Sequence, residues 1–140
     1  MVKVCPMEGS LGLKYMNIKN QIINHCGQKP KLESCGFVVF EDGQLKIQPM
    51  DNMAEDPEKN FYIGAKDFLF AKNNYEIIAV YHSHPEGDEN PSVYDKNSAE
   101  ASCYPFVIFC LSNRKFGVYE PEFMDCDSEK YHLLKEELND

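Results

Sequence analysis

Arginine is almost missing from this chain. Arg114 is the only one, and the 140 residues carry a formal charge of -9. Nucleic-acid phosphates demand a basic surface, so that class of partner is excluded, and an anionic membrane surface is excluded on the same ground. Long apolar runs are also lacking. No stretch approaches the ~20 residues of a membrane-spanning helix, and Met1 to Ser10 has no apolar signal-peptide core. A cytoplasmic protein with no membrane partner is therefore predicted. The six cysteines (Cys5, Cys26, Cys35, Cys103, Cys110, Cys126) form no CxxC pair, which removes the zinc-knuckle and redox-dithiol readings. Inert thiols in a reducing compartment are expected, most of them acting as small core hydrophobes. Repeats, low-complexity tracts and interdomain linkers are absent too.

What remains predicts one domain over residues 1–140, long enough to bury roughly two thirds of its unfolded surface. Ile18, Ile22, Ile23 and Cys26 follow helical spacing over Asn17 to His25, with a start as early as Ser10 and stop signals at Gly27 and Pro30. Phe37–Phe40 and Leu45–Gln48 flank an Asp-Gly turn and predict a hairpin. Residues 49–60 predict an irregular crossing, Phe61–Ile63 a brief strand, and Ala65–Lys72 a short helix burying Phe68, Leu69 and Ala71. Glu76–His84 is apolar on both faces, as a central strand should be, with His82 and His84 continuing the face of Ile78 and Val80. A helix from Ser92 towards Cys103, strands at Phe106–Leu111 and Phe116–Tyr119, and a helix Ser128–Leu138 complete the chain. The order α-β-β-α-β-α-β-β-α predicts a mixed sheet with helices against it, an α/β (mixed α+β) fold.

The chemistry concentrates in His82-Ser83-His84-Pro85 and the Ser92 and Asp95 that follow. Histidines at i and i+2 of a strand project to one face. Taken alone, such a pair is as often two polar residues ending a strand. Asp95, taken alone, is a first-turn acid favoured by the helix dipole, yet with the histidines it completes three ligands suited to Zn2+ and leaves a fourth tetrahedral position open, the mark of a catalytic site. Ser92 is either a helix N-cap or a hydroxyl that donates to the oxyanion of a tetrahedral intermediate. Glu86 and Glu89 are the local candidates for a general base, on a loop that exposes them to solvent.

The pattern His82-x-His84-Pro85, then Pro91-Ser92-x-x-Asp95, resembles the JAMM signature of the MPN (Mov34/JAB) metalloprotease family, with the spacing H-x-H-x7-S-x2-D intact. The family places its catalytic glutamate upstream in a setting similar to Pro30-x-x-Glu33-x-Cys35-Gly36, so the resemblance nominates Glu33. Without that match Glu33 would read as a surface acid. The stretches Pro49-x-x-Asn52-x-Ala54-x-Asp56-Pro57, Phe61-x-Ile63 and Ala101 to Ile108 are similar to prokaryotic and phage members, including phage tail-assembly proteins. The long insertions of the family's eukaryotic deubiquitinases find no room here.

The resemblance implies an MPN/JAB fold, akin to cytidine deaminases, and a zinc metallopeptidase or isopeptidase. His82, His84 and Asp95 would hold the metal, Glu33 would move the proton and Ser92 would stabilise the oxyanion. The implied partner is a peptide or protein substrate, ubiquitin-like or sulfur-carrier proteins and phage tail proteins among them; a phage-encoded chain would work in the host cytoplasm or ride in the virion. The competing expectation is a non-catalytic binding or assembly module whose zinc is structural, closed by a fourth protein ligand such as Cys103.

Overall fold

A computed structural model describes residues 16–139. The suggested early helix start near Ser10, and Cys5, lie outside the described residues. The first helix among the described residues, α1 (Ile18–Gln28), starts where the Asn17 side chain accepts the Asn20 amide at 2.9 Å. Next come the hairpin β1 (Cys35–Glu41) and β2 (Gln44–Met50), α2 (Ala65–Asn74), β3 (Glu76–His84), α3 (Val93–Ser102), β4 (Phe106–Cys110), β5 (Lys115–Tyr119) and α4 (Ser128–Asn139). The strands form one sheet in the order β2-β1-β3-β4-β5. Only β3 and β4 run parallel, as they must when a helix, α3, carries the chain between them.

Both faces of the sheet are covered, which explains why β1, β3 and β4 are almost continuously apolar. On one face Ile18, Ile22 and Cys26 of α1 and Tyr131, Leu134 and Leu138 of α4 meet Val38, Tyr81 and Phe109. On the other, Ala71 of α2 and Ala99 of α3 meet Cys35, Phe37, Val80 and Phe106. Cys26, Cys35 and Cys110 are buried, as expected of core thiols, and the five described cysteines are free.

Three local expectations differ. The predicted face of Ile78, Val80, His82 and His84 is broken at Ile78, because Val38 pairs with Ala79 and Val39 with Ile77. Ile78 is the extra residue of a β-bulge, and it packs on the α1/α4 side while Val80 stays with the histidine face. Phe61–Ile63 forms no strand, since its backbone groups are taken by the preceding loop: Tyr62 N–H donates to Asn52 Oδ1 and its carbonyl accepts from Met53. Within α2, Ala71 is buried and Phe68 half-buried, whereas Leu69, expected inside, is 61% exposed.

Edge strand β2 carries its own protection. Gln21 of α1 accepts the outward Ile47 N–H at 3.1 Å and donates to the Leu45 carbonyl at 3.4 Å. Two residues further along the same side, Pro49 has no N–H to offer.

Candidate metal centre

The site lies where β3 ends, β1 begins and α3 starts. His82 and His84 reach the same side of β3 because they are two residues apart, and α3 returns Asp95 to them from its first turn. A capping box fixes that turn: Ser92 Oγ accepts Asp95 N–H at 3.0 Å, and Asp95 Oδ2 accepts Ser92 N–H at 2.9 Å. Asp95 Oδ1 is 3.0 Å from His82 Nε2, and Oδ2 is 3.0 Å from His84 Nε2. The three potential ligand atoms all lie within 4.8 Å of one another.

His82 tests whether a metal fits. Its ring is fully buried, stacked on Phe61 at 4.3 Å between centroids, and neither ring nitrogen completes a hydrogen bond. The 3.0 Å approach of Asp95 to Nε2 thus sets a carboxylate oxygen beside the ring without completing a hydrogen bond. A buried imidazole without partners is costly unless something binds it, and a divalent cation among two imidazoles and a carboxylate supplies that partner. His84 is prepared differently. Its Nδ1 meets the Asp88 carbonyl at 2.8 Å, an outer contact that orients the ring and leaves Nε2 towards Asp95.

Burial drives the protonation pattern, and neighbouring charges modify it. Desolvation lowers the pKa of His82 against the pull of Asp95. In His84 burial acts the same way, but hydrogen bonds to Asp95 and Asp88 prevail and push it up to about 9. Asp95 resists its own burial through both histidines and is held well below the usual carboxylate range. Metal uptake must therefore displace a proton from His84. At pH 7 calorimetry in buffers of different ionisation enthalpy should show one to two protons released per ion bound, from His84 and from Glu33 beside it, fading as the pH is raised through 9.

Glu33 sits in the irregular segment just before β1, only 7% exposed, and burial pushes its carboxyl up to about 8, with His84 pulling down and Asp95 pushing up. It lines one cavity of about 670 Å3 together with His84, Ser92, Asp95 and Glu86. Glu89 is elsewhere: its carboxylate accepts from Asn113 at 3.0 Å and its backbone packs over Gly117. Of the two loop acids, then, only Glu86 reaches the cavity, and it is exposed. Cys103 caps the far end of α3 in a left-handed conformation and stands apart from the His82, His84 and Asp95 cluster.

A profile of prokaryotic homologs of the JAB domain matches residues 17–127. The chain belongs to this family. The match takes in α1, all five strands and the whole metal centre. The chain is 28% identical over 87 residues to tail tip assembly protein K of Escherichia phage N15. That stretch is 62% of this chain and 36% of the phage protein, so the chain spans about a third of that relative. It is 23% identical over 114 residues to desampylase of Haloferax volcanii, 73% of this chain and 81% of that protein. Its fold is similar to the solution structure of a protein from Desulfitobacterium hafniense, with a TM-score of 0.55 at 24% identity, covering 82% of this chain and 95% of the other.

Loop 51–64 holds what sequence reasoning missed. Phe61, read as a strand residue, is the ring against which His82 stacks, and Asn52 ties the loop together. The signal was there in the Pro49-x-x-Asn52 pattern, but its physical use depends on contacts with residues far away in the chain.

Proposed function

We propose that this JAB-family domain is a zinc-dependent metallopeptidase or isopeptidase that hydrolyses a peptide or isopeptide bond. The observation that carries the reading is the pairing of a buried His82 whose ring nitrogens complete no hydrogen bond with a buried Glu33 that shares a cavity with the three-ligand centre. His82, His84 and Asp95 would hold the ion. When bound, such an ion polarises a carbonyl and makes hydroxide available near neutral pH.

The remaining steps belong to protein groups. Glu33 takes the proton of the attacking water onto a carboxylate oxygen and returns it to the leaving nitrogen, so the base becomes the acid within one cycle. Its burial suits this exchange, because a carboxyl with a pKa near working pH both accepts and gives up a proton readily. Ser92 combines its two sequence readings. The cap uses a lone pair of Oγ, accepting from Asp95, and leaves the O–H free to donate to the oxyanion. Ser92→Ala should lower kcat up to about 10²-fold and cost about 1 kcal/mol of stability through the lost cap. Kinetics and a thermal melt separate the two effects.

Substrate context follows the relatives as a proposal: an extended protein tail, in phage tail assembly or on a ubiquitin-like or sulfur-carrier protein. The test combines zinc stoichiometry with a peptide-hydrolysis screen that includes Gly-Gly-tailed ubiquitin-like fusions, with and without chelator. Chelator-sensitive cleavage at one ion per chain is the expected result. A protein that binds zinc and cleaves nothing is the assembly module instead.

A further inference from the structure

Resting on that reading of the site, we infer that Asn52 is the positioning residue that sets Glu33 against the metal centre. Glu33 lies outside any strand or helix, so no ladder fixes its backbone. Loop 51–64 does so in its place, and that loop also lacks regular structure. The Glu33 N–H donates to the Pro57 carbonyl at 2.7 Å, and the Glu33 carbonyl accepts from Asn52 Nδ2 at 2.8 Å. Both backbone polar groups of the base are thereby taken up by one loop.

The Asn52 amide is saturated. Nδ2 donates to the carbonyls of Glu33 and Asn60, at 2.8 and 2.9 Å, while Oδ1 accepts from Ala54 and Tyr62, at 2.9 and 3.1 Å. Two donors and two acceptors meet four complementary backbone groups, which fixes the orientation of the amide and uses its full capacity. Those groups come from three places: the lead-in to β1, the loop start, and residues 60–62 around the Phe61 that stacks on His82. One side chain therefore joins the backbone of the base to the wall against which a metal ligand rests. Ser83, between the two histidines but facing the other side, grips the next residue, with Ser34 N–H donating to Ser83 Oγ at 2.9 Å and Ser83 N–H to the Ser34 carbonyl at 3.0 Å. Asn52 supplies the anchor on Glu33 itself.

Aspartate is the sharper probe, since it keeps the size and both acceptors while turning two attractive contacts into carbonyl–carboxylate repulsions. Two variants, Asn52→Ala and Asn52→Asp, are measured as whole chains alongside wild type. Positioning predicts that kcat falls about 10- to 100-fold, with zinc stoichiometry unchanged because His82, His84 and Asp95 are all retained. Acting through the base, Asn52→Ala should add no further loss in a Glu33→Gln background. The readout independent of activity is amide exchange: the Glu33 N–H should exchange at least about tenfold faster in both variants, while Leu134 in α4 keeps its rate. Unchanged Glu33 exchange in Asn52→Asp, or a further loss in the double variant, overturns the inference. A wild type that cleaves nothing removes the peptidase reading, and the exchange result still decides whether Asn52 anchors Glu33.

Discussion

Glu33→Gln is expected to keep one zinc per chain and lose about 10²- to 10⁴-fold in kcat, the range for a positioned general base. Glutamine matches the glutamate in shape and fills the same pocket, so the cavity and its ligands persist. What disappears is the ability to take a proton and give it back. If zinc is lost along with activity, Glu33 is a ligand and the assignment fails. A second consequence follows from its burial. The folded-state carboxyl is raised from 4.5 to about 8, so between those pH values the folded chain retains a proton that the unfolded chain releases. Stability of the metal-free protein therefore falls as the pH rises across that window. Glutamine removes the Glu33 share of this dependence and leaves that of His84, and the variant should be more stable than wild type at pH 8 by on the order of 1–3 kcal/mol. Denaturant melts of the chelated proteins at pH 5 and pH 8 test the sign. A variant that gains stability while losing activity would mark Glu33 as a residue kept for chemistry at a structural cost.

Gly36→Ala is expected to destabilise the fold by about 3 kcal/mol or more, through overpacking without room to relax. A Cβ there would stand 2.4 Å from the Gln48 carbonyl oxygen of β2 and 2.7 Å from the Tyr81 hydroxyl. Neither neighbour can yield easily. Gln48 is backbone in a paired strand, opposite Phe37. Tyr81 is fully buried, and its hydroxyl is held by His25 Nδ1 at 2.7 Å. Because Gly36 lies three residues beyond Glu33, the strain would also spread into the lead-in that carries the base. Urea unfolding of metal-free Gly36→Ala checks this, and a loss under 1 kcal/mol would show that β1 and β2 part more readily than their pairing suggests.

The histidines, Ser92 and Asp95 were legible in the sequence because their geometry is local: a strand of period two, a short loop and the first turn of a helix bring them together whatever the rest of the chain does. Element order and the buried faces of α1 and α4 were legible for the same reason, since periodicity reports which side of an element is buried; Leu69 and Ile78 were not placed correctly by it. Glu33 could be found only by resemblance; its backbone is held by Asn52 and Pro57 and it shares a cavity with His84 and Asp95, none of them near it in sequence. The bulge at Ile78 escaped because an extra residue in one strand shows itself only against its partner's register. Phe61–Ile63 looked like a strand because its residues favour one, yet the Asn52 side chain takes a backbone group that a strand would have used in a ladder.

The Gln21 clip on β2 bears on how a substrate can enter. A side-chain amide occupies the backbone groups that an incoming peptide would need, and Pro49 withholds the next one. The sheet cannot be lengthened by a guest strand along that stretch of its border. On the proposed function, the cavity walls where Pro30, Lys31, Lys59 and Tyr94 stand would meet a substrate tail through side chains, with no main-chain pairing along this part of β2.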